Sequence, residues 1–158
     1  MGRYAASTDV TVERSRAELE RTLSRYGATA FGYAWEDNRA MVQFRLAERH
    51  IRFLLPLPAK DAPEFRYTPS KGLERSEDDQ QRAWERACRQ RWRALNLIVK
   101  AKLEAVESGI STLEAEFLAN VVLPDDTTVG QWAIPQIEQA YRTLEMPRML
   151  PALEAPPA

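Results

Sequence analysis

The chain is predicted to be an α+β protein, with a small three-stranded antiparallel meander packed against one long central helix and shorter helices on either side. Three observations predict this. The interval from Ser76 to Gly109 contains no proline or glycine between its ends. Residues 29–55 hold three short runs of alternating apolar and polar residues. The flanking stretches carry closely spaced helix start and stop signals.

The long helix has a complete set of end signals. Ser76 is a suitable N-cap, and Glu77, Asp78 and Asp79 place negative charge at the positive end of the helix dipole. Gly109 suits the position just beyond the last turn. Trp84, Cys88, Trp92, Leu95, Val99, Leu103, Val106 and Ile110 recur at steps of three and four, an eleven-residue repeat that keeps one apolar stripe on one side. Ala83, Ala87, Ala94, Ala101 and Ala105 form a small-residue face suited to close approach or self-association. Opposite the tryptophan stripe lie Arg82, Arg86, Arg89, Arg93 and Lys100. That basic ridge reads either as a solvated surface or as a phosphate-contacting one, because guanidinium groups grip phosphate in bidentate fashion.

Before this helix, Ser15 and Glu18 form a Ser-x-x-Glu capping box, and Gly27 ends a helix whose apolar face is Leu19, Leu23 and Tyr26. Residues 8–13 read as a short strand or as the lead-in to that helix. Phe31, Tyr33 and Trp35 then alternate with Ala30, Gly32 and Ala34. Val42, Phe44 and Leu46 alternate with Met41, Gln43 and Arg45, and Ile51, Phe53 and Leu55 alternate with His50, Arg52 and Leu54. The outer sheet face therefore carries Arg45, His50 and Arg52 as candidate contact residues. Trp35, at a strand end, is the candidate for a partly exposed stacking ring, whereas Trp84 and Trp92 read as core.

Pro56 and Pro58 stop the third strand, and residues 59–75 form a long loop leading into the central helix. Arg66, Tyr67, Ser70 and Lys71 in this loop are candidate ligand contacts beside a helix N-terminus. The acidic first turn works against an anion there, and GxxxxGK[ST] is missing. After Gly109, Ser111 and Glu114 open a short helix from residue 112 to 120, Val121–Leu123 suggests a brief strand, and Thr128 caps one helical turn through Trp132. Pro135 suits the first position of a last helix running to about Leu144. The expected organisation is a single domain over residues 8–145, with flexible tails at 1–7 and 146–158.

Composition bounds the function. The 158 residues include 22 basic and 23 acidic side chains, a net charge of −1, so no global positive field steers polyanions to the protein. The lone cysteine, Cys88, cannot form an internal disulfide and falls on the apolar stripe. The N-terminus lacks a secretory h-region and no apolar run reaches membrane-span length, so the expected location is cytoplasmic, without a membrane partner. One histidine, His50, cannot build a histidine metal cluster, and GxGxxG, GxSxG, CxxC and HExxH are all missing. Asp125-Asp126 reads as turn chemistry. No catalytic residue, metal ligand or cofactor is assigned, and an enzyme ranks last among the readings.

The stretches RYGATAFGYAW (25–35), RHIRFLLPLP (49–58), RQRWRALNLIVKAKLEAVESGIST (89–112) and EFLANVVLPDDTTVG (116–130) carry a resemblance. The chain resembles a family of small uncharacterised bacteriophage, prophage and mobile-element proteins, over about Val10 to Pro151. The resemblance implies an accessory role inside a host cell, in nucleic-acid metabolism or counter-defence, and carries no site residues with it. Two functions follow as expectations. One is a binder of nucleic acid or a nucleotide through the ridge or the 66–71 loop. The other is a protein-interaction module, engaging a host protein or a second copy through the long helix or the open sheet face.

Overall fold

A computed structural model describes residues 3–36 and 38–147. The expected α+β architecture is present. Helix α1 (Arg3–Arg25) leads into strands β1 (Thr29–Glu36), β2 (Arg39–Leu46) and β3 (Arg49–Pro56). Helices α2 (Pro63–Arg66), α3 (Glu77–Glu107), α4 (Leu113–Phe117) and α5 (Val129–Thr143) follow, with a 3-10 turn at Leu118–Asn120. The strands form an antiparallel sheet in the order β1-β2-β3. Residues 148–158 of the expected C-terminal tail lie outside the described residues.

The core is where sheet pattern and helix pattern meet. Val42, Phe44 and Leu46 of β2 and Ile51, Phe53 and Leu55 of β3 are buried in one cluster with Trp92, Leu95, Val99 and Leu103 of α3 and Leu19 and Leu23 of α1. Phe31, Phe44, Phe53 and Phe117 form a chain of ring contacts across this layer, with centroids 6.2 to 6.3 Å apart. Helices α1 and α3 run side by side in the same direction. The Asn96 amide donates to the Ser15 carbonyl, and eleven residues on in each helix the Tyr26 hydroxyl donates to the Glu107 carboxylate.

Several expectations need correction. Residues 8–13 are helical, and Ser15 with Glu18 lies inside α1 rather than at its start, because the chain stays helical from Arg3 onward. The apolar stripe of α3 is buried from Cys88 to Leu103, but Ile110 is 84% exposed, since it lies beyond the left-handed Gly109 (φ +77°). Two polar residues, Glu85 and Asn96, share the buried face instead. The basic residues lie on the flank of that face rather than opposite it, and Arg93 and Lys100 sit near α1. The 59–75 segment is not structureless: α2 plants Phe65 in the interior, and a Tyr67–Glu74 bridge closes a small hairpin. The cap of α4 is Thr112, whose hydroxyl accepts from the Ala115 amide, rather than Ser111. Helix α5 is continuous through Pro135, starting from a full capping box of Thr128 and Gln131.

The β2–β3 hairpin stores removable strain. Leu46 pairs with Arg49, leaving Ala47 and Glu48 as the two turn residues, with φ of 45° and 61°. Positive φ at both positions is what a type I′ turn demands, and side chains other than Asn, Asp and Gly pay for it. The double substitution Ala47→Asn, Glu48→Gly is expected to raise stability by ~1 kcal/mol or more in urea denaturation. An unchanged midpoint would show that the turn carries no such strain.

Candidate ligand site

Three of the four tryptophans, one from β1 and two from α3, meet at one recess of about 250 Å³. It lies where α1, the N-terminal half of α3 and the sheet come together, lined by Val12, Glu13 and Arg16 of α1, Trp35 and Ala40 of the sheet, Leu57, and Trp84 and Trp92 of α3. Each element delivers its side chain for a local reason. The alternation of β1 puts Trp35 on the side of Phe31 and Tyr33, and β1 is an edge strand, so the ring reaches past the core. Trp92 sits in the middle of the buried face of α3 and is only 2% exposed. Trp84 stands off that face, half-buried, and its indole N–H donates to the Pro58 carbonyl at 2.7 Å. That hydrogen bond ties the chain just after β3 to the helix.

Arg16 is the residue the rings surround. Its guanidinium carbon lies 4.6 Å from the centroid of Trp35, 5.5 Å from Tyr33 and 5.5 Å from Trp92. The aromatic faces supply the negative side of their quadrupoles to the cation. Glu13 and Glu20 are three and four residues away on α1, yet among the described residues Arg16 forms no salt bridge, and its buried Nε has no hydrogen-bond partner. Among the described residues Arg16 thus lies against π-faces with no carboxylate within ion-pair distance. Trp35 is 66% exposed, which leaves much of its surface open for another flat group.

The Tyr33 phenol and the Cys88 thiol both stay protonated at neutral pH. Burial first, then the charge and hydrogen bond of Glu20, push the Tyr33 phenol up to about 12 against the lowering charge of Arg16, so it stays a donor. Its hydroxyl faces the Arg16 carbonyl at 3.4 Å and the Glu20 carboxylate at 3.5 Å. Burial likewise pushes the Cys88 thiol up to about 11, so the lone cysteine remains a protonated, buried thiol.

A second recess, about 230 Å³, opens on the other face of the sheet and shares Trp35 at its rim. Its cations are already paired. Arg39 meets Glu36 at 2.8 Å, and Arg52 meets the Asp126 carboxylate at 2.6 Å and its carbonyl at 2.8 Å. Of the expected sheet-face contacts, Arg52 is thus a structural tie to the 121–128 segment. Arg45 and His50 face each other across the strands, exposed, and do not line this recess.

The ridge and loop candidates do not converge. Arg82 is paired with Asp79 at 3.1 Å near the start of α3, and Arg86 points to solvent. Arg89 is half-buried, while Arg93 lines a polar groove with Arg14, Glu18 and Lys100 across the α1–α3 seam. Arg66, Tyr67, Ser70 and Lys71 lie exposed on the 66–75 hairpin, away from the tryptophan recess. The alanine face of α3 is only partly open, with Ala94 and Ala101 exposed and Ala83, Ala87 and Ala105 half-buried.

Sequence reasoning marked Trp35 but missed Arg16, which reads as an ordinary helix-surface charge between Glu13 and Glu20. Only the docking of α1 beside the β1 edge reveals its role. Among the described residues no three His, Cys, Asp or Glu side chains gather as metal ligands, and no helix is long and apolar enough to cross a membrane. Compared with protein-family models, curated proteins and solved structures, the chain matches none.

Proposed function

We propose that this protein binds an anionic ligand bearing an unpaired aromatic base, a nucleotide or single-stranded nucleic acid, at the Arg16–tryptophan recess. The single observation behind the reading is an arginine that forms no salt bridge among the described residues, although Glu13 shares its recess, and that lies over a largely exposed tryptophan. An exposed indole stacks on any base because every base has a π-face, and the adjacent guanidinium attracts phosphate. Bases inside a duplex have their faces covered by neighbours, so unpaired bases are the fitting partner. A resident cation in the ring cluster disfavours a cationic guest through like-charge repulsion, which leaves neutral and anionic ligands. With net charge −1, attraction is local and affinity modest. The biological setting we attach to this is the phage-type accessory role in nucleic-acid metabolism or counter-defence.

The test is titration of intrinsic tryptophan fluorescence with a thymidine oligonucleotide, the matching duplex and a mononucleotide at low salt. Saturable quenching by the single strand is expected, with log affinity falling against log salt and the duplex binding more weakly. No binding by any of the three at low salt would remove the proposal.

A further inference from the structure

A groove of about 220 Å³ runs along the α1–α3 seam and shares no residue with the tryptophan recess. Arg14, Ser15 and Glu18 of α1 line it, with Arg93, Asn96 and Lys100 of α3. Helix periodicity gathers them: Arg14 and Glu18 are one turn apart, and Arg93, Asn96 and Lys100 follow at steps of three and four. The buried member is Asn96, only 7% exposed. Its amide nitrogen donates to the Ser15 carbonyl at 3.3 Å. A carbonyl only accepts, so this bond fixes the amide with its nitrogen toward Ser15 and its oxygen as the free end. That oxygen, Oδ1, is buried and has no hydrogen-bond partner among the described residues. An empty buried acceptor is costly, and folded proteins keep few of them. Arg14, Arg93 and Lys100 form no salt bridge among the described residues, although Glu18 stands at ion-pair spacing from Arg14. Three cations thus share the groove with one carboxylate and one free buried acceptor.

We infer that this groove binds inorganic phosphate, as the hydrogen phosphate anion. The guanidinium groups of Arg14 and Arg93 and the Lys100 ammonium take its charged oxygens, the partners they favour. Asn96 Oδ1 accepts from its P–OH, and the Glu18 carboxylate is a second acceptor for that proton. The mixture of cations and acceptors is what selects the anion. Sulfate carries no proton at neutral pH, so it leaves Asn96 Oδ1 empty and sets bare oxygen against Glu18. A phosphate ester has lost most of its last proton at neutral pH, since that proton leaves at about pH 6. Inorganic phosphate keeps at least one P–OH in both of its neutral-pH forms, which commits the site to the free anion. The groove has room for a tetrahedral oxyanion and several waters, each of which takes about 30 Å³. This inference does not rest on the reading of the tryptophan recess.

An NMR titration of the full chain with sodium phosphate, sodium sulfate and glycerol phosphate, at constant ionic strength, tests it. The Asn96 side-chain amide and the Ser15 and Arg93 backbone amides report on the groove. Saturable shifts with phosphate are expected, at least about tenfold tighter than with sulfate or the ester, the worth of one hydrogen bond to a buried acceptor. Asn96→Ala should bind sulfate as the wild type does and lose the preference for phosphate. Glu18→Gln removes a negative charge and supplies a donor, so sulfate should bind about tenfold tighter and the preference should narrow. Glu18 is exposed, so that variant carries the test if Asn96→Ala does not fold. Arg93→Ala should weaken phosphate and sulfate alike. Absence of saturable shifts with phosphate overturns the inference, and so does equal affinity for phosphate and sulfate. An ester that binds as tightly as phosphate overturns the commitment to the free anion. A phosphate preference unchanged in both Asn96→Ala and Glu18→Gln would overturn the roles given to those acceptors and the inference with them.

Discussion

Trp92→Ala is expected to remove about 3–5 kcal/mol of folding stability, the usual cost of truncating a fully buried tryptophan. The ring is 2% exposed and packs within a core of β2, β3, α1 and α3 residues, so it stands at the junction of both layers. On the core side Val42, Phe44, Leu19 and Val99 are themselves buried at 1% exposure or less, so collapse into the space is left to the half-buried groups of the recess. Domains of this kind have about 5–15 kcal/mol of total stability, so the variant should be near its unfolding threshold at 37 °C. In urea the midpoint should fall by more than about 1 M at a slope of 1–3 kcal/mol/M. A loss below about 1 kcal/mol would mean that Trp92 belongs to the recess more than to the core. Ligand binding by this variant carries no information unless the folded fraction is measured at the same time.

Trp35→Ala separates binding from stability. Two thirds of that ring is exposed, and its main partner is the Arg16 guanidinium at 4.6 Å. Exposed cation–π contacts are worth about 0.5–1 kcal/mol, so folding should change by no more than that. Binding of a single-stranded oligonucleotide should weaken by about ten- to hundredfold, the 1–3 kcal/mol carried by one base–aromatic stack. Arg16→Ala should weaken binding too, and should also lower the slope of log affinity against log salt by about 1 as one phosphate contact is lost. Arg16→Lys keeps the charge but not the flat guanidinium, so the salt slope should persist while affinity falls part-way. Wild-type affinity in both Trp35→Ala and Arg16→Ala would place any nucleic-acid site elsewhere, and the Arg14–Arg93–Lys100 groove would be the next to test.

What could be read in the chain differs between elements for physical reasons. The three strands were legible because sheet burial has a period of two and Phe31, Val42, Phe44, Ile51 and Phe53 keep to it; only the irregularity at Ala30, between the Thr29 and Gly32 pairings, was not. The central helix was legible because its cap, its acidic first turn and Gly109 are local chemistry, and Ser76 does accept from the Asp79 amide. Helix α1 was misjudged at its start because Ser15 and Glu18 satisfy a capping pattern that continuing helix makes unnecessary. Pro135 was misplaced as a helix opener because Thr128 and Gln131 had already built a stronger one upstream.

The α+β class, the meander and the buried side of α3 were determined by the sequence itself, since periodicity and end signals act over neighbouring residues. The candidate site was decided only by tertiary structure. Trp35, Trp84, Trp92 and Arg16 are separated by up to 76 positions, and nothing local to any of them announces the others. Their meeting depends on α1 and α3 lying parallel beside the β1 edge, a packing geometry that no one-dimensional pattern encodes.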